Sequence, residues 1–151
     1  AVQSIAHNPL DLWANAYQDK VLNGRALVYL EQVGLAERHS VEARHLSHGE
    51  KRALEIAMAL ALKPKLLLLD EPAAGLNSTE KMELRDLLKR IAAKGLTILI
   101  IDHDMTSVGA VAEHITVLNF GRCIADGDPV SVLNHPDVVT AYLGSDANAA
   151  H

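Results

Sequence analysis

The sequence predicts an α/β fold in which a mostly parallel sheet is flanked by helices. Two short apolar runs, 66–69 and 96–101, show no alternation of apolar and polar residues, which is typical of strands covered on both faces. A long amphipathic segment lies between them at 78–93. A strand, a helix and a second strand within about 35 residues indicate a βαβ unit, whose crossover is expected to be right-handed.

The chain before the first apolar run is predicted to be mainly helical. It begins with a helix, a second helix and a polar connecting loop, over 11–23, 25–34 and 36–45. The clearest helix is predicted over 47–62, because Ser47 and Glu50 form a capping-box pattern at its start and Pro64 follows its end. Its apolar face is expected to comprise Leu54, Ala57, Met58 and Ala61.

The helix over 78–93 is predicted to end before Gly95. Its buried face is expected to comprise Met82, Leu84, Leu87, Leu88 and Ile91. After the second strand we expect a short helix, a hairpin around Gly121 and two more short helices: 106–113, 115–120 with 122–125, 129–133 and 137–143. The small, polar tail over 145–151 is expected to fray.

Composition excludes several classes of function. The net charge of −5, with no block of like charges, argues against nucleic acid as a partner, because phosphate binding needs clustered lysine and arginine. Cys123 is the single cysteine, which excludes an intrachain disulfide and a cysteine-based zinc site and is compatible with a reducing cytoplasm. No apolar run approaches the roughly 20 residues that span a bilayer.

Two acids, Asp70 and Glu71, directly follow the first apolar run. Ligands of parallel sheets bind at the carboxyl ends of the strands. One acid there can hold Mg²⁺ through water, while the next polarises an attacking water. Taken alone, the dipeptide is equally consistent with an ordinary strand end before a turn at Pro72.

Two further segments have residues that suit a phosphate. His103 follows the second apolar run and would emerge at the same sheet edge, although a solvated loop histidine is the simpler explanation. Ser47 and Gly49 open a helix, where free N–H groups, a hydroxyl and an absent side chain favour phosphate binding. A plain capping box would also explain these two residues.

Taken together, these segments resemble the ABC-type ATPases, the nucleotide-binding subunits of ABC transporters. They match the family's signature motif, Walker B strand, D-loop and switch-histidine loop in order and spacing: LSHGE (46–50), LLLLDE (66–71), PAAGLN (72–77) and IDHD (101–104). The resemblance implies part of the P-loop NTPase (ABC ATPase) fold with part of the helical subdomain. EPAAGLN (71–77) and the C-terminal NHPDVVTAYLG (134–144) are similar to the branched-chain amino-acid uptake subfamily, although urea-type and lipopolysaccharide-export relatives share a similar tail.

The resemblance implies a metal-binding role for one residue and catalytic roles for two others. Asp70 would hold Mg²⁺ through water. Glu71 would be the general base of ATP hydrolysis. His103 would be the switch residue that senses the γ-phosphate.

The resemblance also implies a dimer in which each subunit completes the other's site. Ser47, Gly49 and Glu50 would contact ATP that is held mainly by the opposite subunit of a head-to-tail pair. The D-loop across the interface would comprise Ala74, Gly75, Leu76 and Asn77. Three positions depart mildly from the family pattern: His48, Glu50 and Asn77.

The resemblance implies that the chain has three parts: a partial helical subdomain over 1–46, the signature, Walker B, D-loop and switch-loop portion over 47–127, and a C-terminal extension over 128–151. The resemblance implies an ATP-binding subunit of an importer, on the cytoplasmic face of the inner membrane. Its partners would be a second nucleotide-binding subunit and transmembrane permease subunits. Substrate choice would lie in the other subunits.

No glycine in this sequence is followed by lysine, so it contains no G-x-x-x-x-G-K-[ST] phosphate loop. We therefore expect the isolated chain not to hydrolyse ATP at a useful rate and, with an uncovered strand edge, to self-associate. A non-catalytic association module derived from an ABC ATPase is an alternative. A different α/β enzyme that uses Glu71 and His103 as acid and base is disfavoured, because no nucleophile motif or metal-ligand cluster accompanies them.

Overall fold

The computed structural model describes residues 20–143, which contain six α-helices and four strands. The helices are α1 Lys20–Gln32, α2 His48–Leu60, α3 Ser78–Ala92, α4 Met105–Gly109, α5 Pro129–Leu133 and α6 Pro136–Val138. The strands are β1 Leu66–Asp70, β2 Thr97–Ile101, β3 Ile115–Asn119 and β4 Arg122–Gly127. Most of the predicted helix 11–23 and the tail 145–151 lie outside the described residues.

The chain divides into two compact units, Ala1–Leu99 and Ile100–His151. The three-part division at 46/47 and 127/128 stays a prediction from the family resemblance. Among the described residues, no helix has both the length and the apolar character needed to cross a membrane.

In the first unit, α2 packs between α1 and α3. The core of this unit is aliphatic and draws on α2, α3, β1 and the segments that flank the helices; it comprises Val33, Leu35, Leu46, Ile56, Ala57, Leu60, Leu67, Leu69, Ala73, Leu84, Leu87, Leu88 and Ile91. The predicted buried face of α3 is confirmed for its four residues from Leu84 onward. It is wrong for Met82, which is 54% exposed because it lies two residues, or about 200° of helical turn, from Leu84.

The buried face of α2 also differs from the prediction. Ile56, Ala57 and Leu60 are buried, whereas Met58 is 55% exposed. Met58 lies on the opposite side of the helix from Ile56 for the same geometric reason.

The first helix runs without interruption through Gly24, where the sequence predicted a break between two helices. A glycine inside a helix destabilises the helix by about 1 kcal/mol relative to alanine, and the neighbouring hydrogen bonds of the helix can offset this amount. The predicted loop 36–45 contains two short 3₁₀ turns, Ala36–Arg38 and Ala43–His45.

The strands β1 and β2 are hydrogen-bonded neighbours in a two-stranded sheet. The prediction that both are covered on both faces is wrong. In β1, Leu67 and Leu69 are buried, while Leu66 and Leu68 are 48% and 65% exposed. In β2, Leu99 and Ile101 are more than half exposed. A continuous apolar run therefore does not prove two covered faces, because it also fits a strand whose second face is open.

The second unit contains the predicted hairpin. The strands β3 and β4 pair antiparallel from Ile115 opposite Gly127 to Asn119 opposite Arg122, with an irregularity between Val117 and Leu118. The core comprises Ile115, Val117, Ala125, Val132 and Val138.

The short helices of the second unit follow the prediction with different ends. The helix α5 matches it, whereas α4 is shorter than the predicted 106–113. The predicted helix 137–143 is instead α6 followed by a π-helical turn, Val139–Leu143.

Candidate functional site

The first site element is the N-terminus of α2, where the predicted capping box is confirmed. The Glu50 N–H donates to Ser47 Oγ at 3.1 Å, and the Ser47 N–H donates to Glu50 Oε2 at 2.8 Å. The first N–H groups of a helix have no partner within the helix. Gly49 therefore presents an N–H at a point that favours negative charge.

The carboxylate of Glu50 is held by groups of the protein itself. Arg38 donates to it twice, from Nε at 2.7 Å and from Nη2 at 3.3 Å. The Arg38 guanidinium, followed by the Ser47 N–H, holds the pKa of Glu50 below its ordinary value, and the pKa of Arg38 is raised in turn. Glu50 thus fixes the start of α2 against the preceding loop.

The N–H of Gly49 is occupied by Glu80, a residue 31 positions later in α3. The Gly49 N–H donates to Glu80 Oε1 at 2.9 Å, and the Asn77 N–H donates to Glu80 Oε2 at 3.2 Å. The N–H of Gly49 and then that of Asn77 hold the pKa of the Glu80 carboxyl below its ordinary value, with smaller contributions from the Ser47 hydroxyl and the charge of His48. One side chain thus joins the starts of α2 and α3.

The second site element is the turn that leads into α3, at the predicted D-loop residues. The Ala74 N–H donates to the Glu71 carbonyl at 3.1 Å, and Gly75 adopts φ of 75°. Asn77 caps α3 by accepting from the N–H of Thr79 and of Glu80, each at 3.0 Å. This is a second capping box, at a residue that the sequence predicted only as part of the D-loop.

The acid pair lies at the end of β1, as predicted. Asp70 is the last residue of the strand and is exposed. Glu71 follows it with φ of 41°, in the left-handed region that is uncommon for a residue with a side chain. Such backbone strain concentrates at functional sites. Arg52 of α2 lies nearby, with Nη2 at 3.5 Å from the Glu71 carbonyl.

The donors at this strand end suit Mg²⁺, which prefers carboxylate and water oxygens. Within residues 20–143, no cluster of three or more His, Cys, Asp or Glu side chains could hold a metal ion. An Mg²⁺ ion at this strand end would therefore need further oxygen ligands from water or from a bound phosphate.

His103 belongs to the second unit. Its side chain is 75% exposed, and its Nδ1 lies 3.7 Å from Oδ1 of Asp102. Asp102 has a nearly buried side chain and accepts from the Asp104 N–H at 3.0 Å. Asp104 in turn caps α4 through the Ser107 N–H at 3.1 Å. The backbone around His103 is therefore fixed by two aspartates, while the imidazole reaches solvent.

In the first unit, the structure brings the LSHGE segment and the D-loop residues together through Glu80. Three residues of this arrangement were missed: Arg38, Arg52 and Glu80. The Asn77-x-x-Glu80 pattern could have indicated the second capping box, because it has the same spacing as Ser47-x-x-Glu50. Nothing local could have indicated that Glu80 also reaches Gly49.

Comparisons with known proteins agree on one family. Residues 3–74 match the family model described as "ABC transporter". Residues 122–148 match the model described as "Branched-chain amino acid ATP-binding cassette transporter".

Curated relatives and solved structures point the same way. The chain is 44% identical over 121 residues to the high-affinity branched-chain amino acid transport ATP-binding protein LivG of Escherichia coli K12, covering 80% of this chain and 48% of LivG. It is 43% identical over 117 residues to the corresponding protein BraF of Pseudomonas aeruginosa, covering 77% and 46%. The ADP conformation of an ATP-binding cassette of an ABC transporter superposes with a TM-score of 0.74 at 33% identity, covering 80% of this chain and 49% of that chain. The chain thus spans about half the length of these relatives.

Proposed function

Because this chain belongs to the ABC transporter ATP-binding family, we propose that it forms part of the ATP-hydrolysing subunit of an importer of branched-chain amino acids. The main support for this proposal is the match of residues 122–148 to the family model of branched-chain amino-acid ATP-binding cassettes, since that model describes a narrower group than ABC ATPases in general. The similarity to LivG and BraF supports the same substrate class.

We assign the hydrolytic chemistry to the end of β1. Asp70 would hold Mg²⁺ through water, and the ion would offset charge on the β- and γ-phosphates. The Glu71 carboxylate would accept a proton from the attacking water as a general base. The exposure of both carboxylates and the left-handed backbone at Glu71 support these roles.

We assign phosphate contact across a subunit interface to the start of α2. The Ser47 hydroxyl and the Gly49 N–H would bind the γ-phosphate of ATP held mainly by an opposite subunit. Their position at the N-terminus of a 13-residue helix supports this role, because the helix dipole favours an anion there. The turn Ala74–Asn77 would lie at the same interface.

His103 would sense the γ-phosphate from the loop after β2. The exposure of its imidazole supports the role, since the side chain is accessible to a ligand.

We propose that the subunit lies on the cytoplasmic face of the membrane, in contact with permease subunits.

The 151-residue chain is expected not to hydrolyse ATP by itself, because its sequence holds no phosphate loop. Phosphate release from Mg·ATP by the purified chain should not exceed the blank. Release well above the blank that is abolished by Glu71→Gln would contradict this expectation.

The transport function is testable with a chimera. Residues of E. coli LivG that have no counterpart in this chain are joined to this chain, and uptake of radiolabelled leucine is measured in cells that lack LivG. The chimera should restore uptake, and Glu71→Gln should abolish it. The matched control Glu83→Gln removes an exposed acid from α3 and should leave uptake unchanged. A folded chimera that binds ATP but never supports uptake would refute the proposal.

A further inference from the structure

The carboxylate of Glu80 lies where the proposed function places a phosphate. Its Oε1 accepts from the Gly49 N–H at 2.9 Å, and the Ser47 hydroxyl contributes to the stabilisation of its charge. The Gly49 N–H and the Ser47 hydroxyl are the two groups that would bind the γ-phosphate of a nucleotide on the opposite subunit, and Glu80 holds the first of them in a hydrogen bond.

We propose that Glu80 is an internal competitor for phosphate, which occupies the N-terminus of α2 when no nucleotide is present and is displaced when a phosphate binds. This inference rests on the proposed function, because it takes Ser47 and Gly49 as the phosphate donors. Glu80 is a positioning residue in this scheme and has no role in hydrolysis itself.

The contact is built by the fold, because Gly49 has no side chain. A Cβ on Gly49 would lie 3.0 Å from Glu80 Cγ and 3.2 Å from Glu80 Cβ and Oε1. These distances are shorter than ordinary carbon contacts of about 3.5–4.0 Å. Because Gly49 has no side chain, the Glu80 carboxylate can approach its backbone N–H closely, and a phosphate could approach the same N–H in the same way.

If a phosphate displaced the Glu80 carboxylate from Gly49, the carboxylate would keep one hydrogen-bond partner. Its second oxygen accepts from the Asn77 N–H at 3.2 Å, within the capping box of α3. Glu80 can therefore release Gly49 and still cap its own helix. A phosphate dianion has more charge and more acceptor oxygens than one carboxylate, so it is the stronger ligand for two donors at a helix N-terminus.

The other acid at this helix start does not compete. Both oxygens of Glu50 already accept hydrogen bonds of 2.7–3.3 Å, from the Arg38 guanidinium and from the Ser47 N–H, so this carboxylate stays within the cap. The competition is therefore specific to Glu80.

The first test measures the contact in the ¹⁵N-labelled chain by NMR. Glu80→Ala should move the Gly49 amide proton upfield and speed its exchange, because the carboxylate acceptor is lost. Glu83→Gln, on the same helix, should leave the Gly49 amide unchanged. An unaltered Gly49 amide in Glu80→Ala would overturn the inference and leave the proposed function intact.

The second test measures competition with inorganic phosphate as the probe. Phosphate is titrated into the parent chain, Glu80→Gln and Glu83→Gln, and the Kd is read from the Gly49 amide. Glu80→Gln keeps the shape of the side chain and removes its charge, so phosphate should bind about two- to fivefold more tightly than in the parent, the effect of removing one neighbouring exposed charge. Glu83→Gln should bind as the parent does.

Two results would overturn the inference. Equal phosphate affinity at Gly49 in the parent and in Glu80→Gln would refute competition but support the assignment of Gly49 as a phosphate donor. No phosphate response at Gly49 in any variant would refute both the competition and that assignment.

Discussion

Replacement of Gly49 by alanine tests the close approach of Glu80 to α2. The new methyl group would lie 3.0 Å from Glu80 Cγ, so either the two groups are forced apart or the Gly49–Glu80 hydrogen bond is lost. Overpacking costs about 1–3 kcal/mol, and alanine recovers about 0.8–1.0 kcal/mol of helix propensity. We therefore expect Gly49→Ala to lower the free energy of unfolding by about 1 kcal/mol.

Urea unfolding followed by circular dichroism gives the measurement, with the free energy taken from the midpoint and slope. Gly24→Ala is the matched control, because a Cβ at Gly24 meets nothing within 4 Å. It should stabilise α1 by about 0.8–1.0 kcal/mol. In a Glu80→Ala background the penalty of Gly49→Ala should shrink, since the Cγ and carboxylate are gone. An equal effect of Gly49→Ala with and without the Glu80 carboxylate would refute the reasoning.

The remaining predictions concern the cap, the core, the pH response and the open sheet face. Asn77→Ala removes the α3 cap and should lower the free energy of unfolding by about 1 kcal/mol in urea titrations. Leu88→Ala, in the core, should cost about 2–5 kcal/mol, whereas Met82→Ala, on the exposed face of the same helix, should stay within about 0.5 kcal/mol. Because the pKa of Glu80 is lower in the folded chain than its ordinary value of 4.5, its stabilising effect is present above pH 4.5 and is lost as the pH falls through the folded value; Glu80→Gln should flatten the pH dependence of urea midpoints in that acidic range. Leu68→Ser, on the exposed face of β1, should reduce self-association in sedimentation velocity, and unchanged association would show that this face is not involved.

The family fold could be predicted from sequence because its evidence is local. The capping box of Ser47 and Glu50 is contained within four residues, and the apolar spacing of α3 from Leu84 onward fixes its buried face. The ABC ATPase fold expected from the resemblance is confirmed by the solved cassette that superposes on this chain.

Two of the differences between prediction and structure arose where the outcome depends on distant parts of the chain, whereas the break at Gly24 was a local error. The run 66–69 has no feature that shows whether one or both faces are covered, since that depends on what packs against it. The contact between Gly49 and Glu80 joins residues 31 positions apart, so no periodicity encodes it. A break at Gly24 was wrong because the flanking residues sustain the helix.

At Glu71 the left-handed backbone conformation and the proposed proton transfer make opposite demands on the side chain. Glycine would adopt φ of 41° without the steric cost of about 1–3 kcal/mol that a residue with a side chain incurs in such a region. A carboxylate, unlike the side chains of glycine and asparagine, can accept the proton that the proposed chemistry removes from water. Backbone preference and chemistry thus favour different amino acids at position 71. We therefore expect selection for stability alone to replace Glu71 with glycine or asparagine, and selection for hydrolysis to restore the acid.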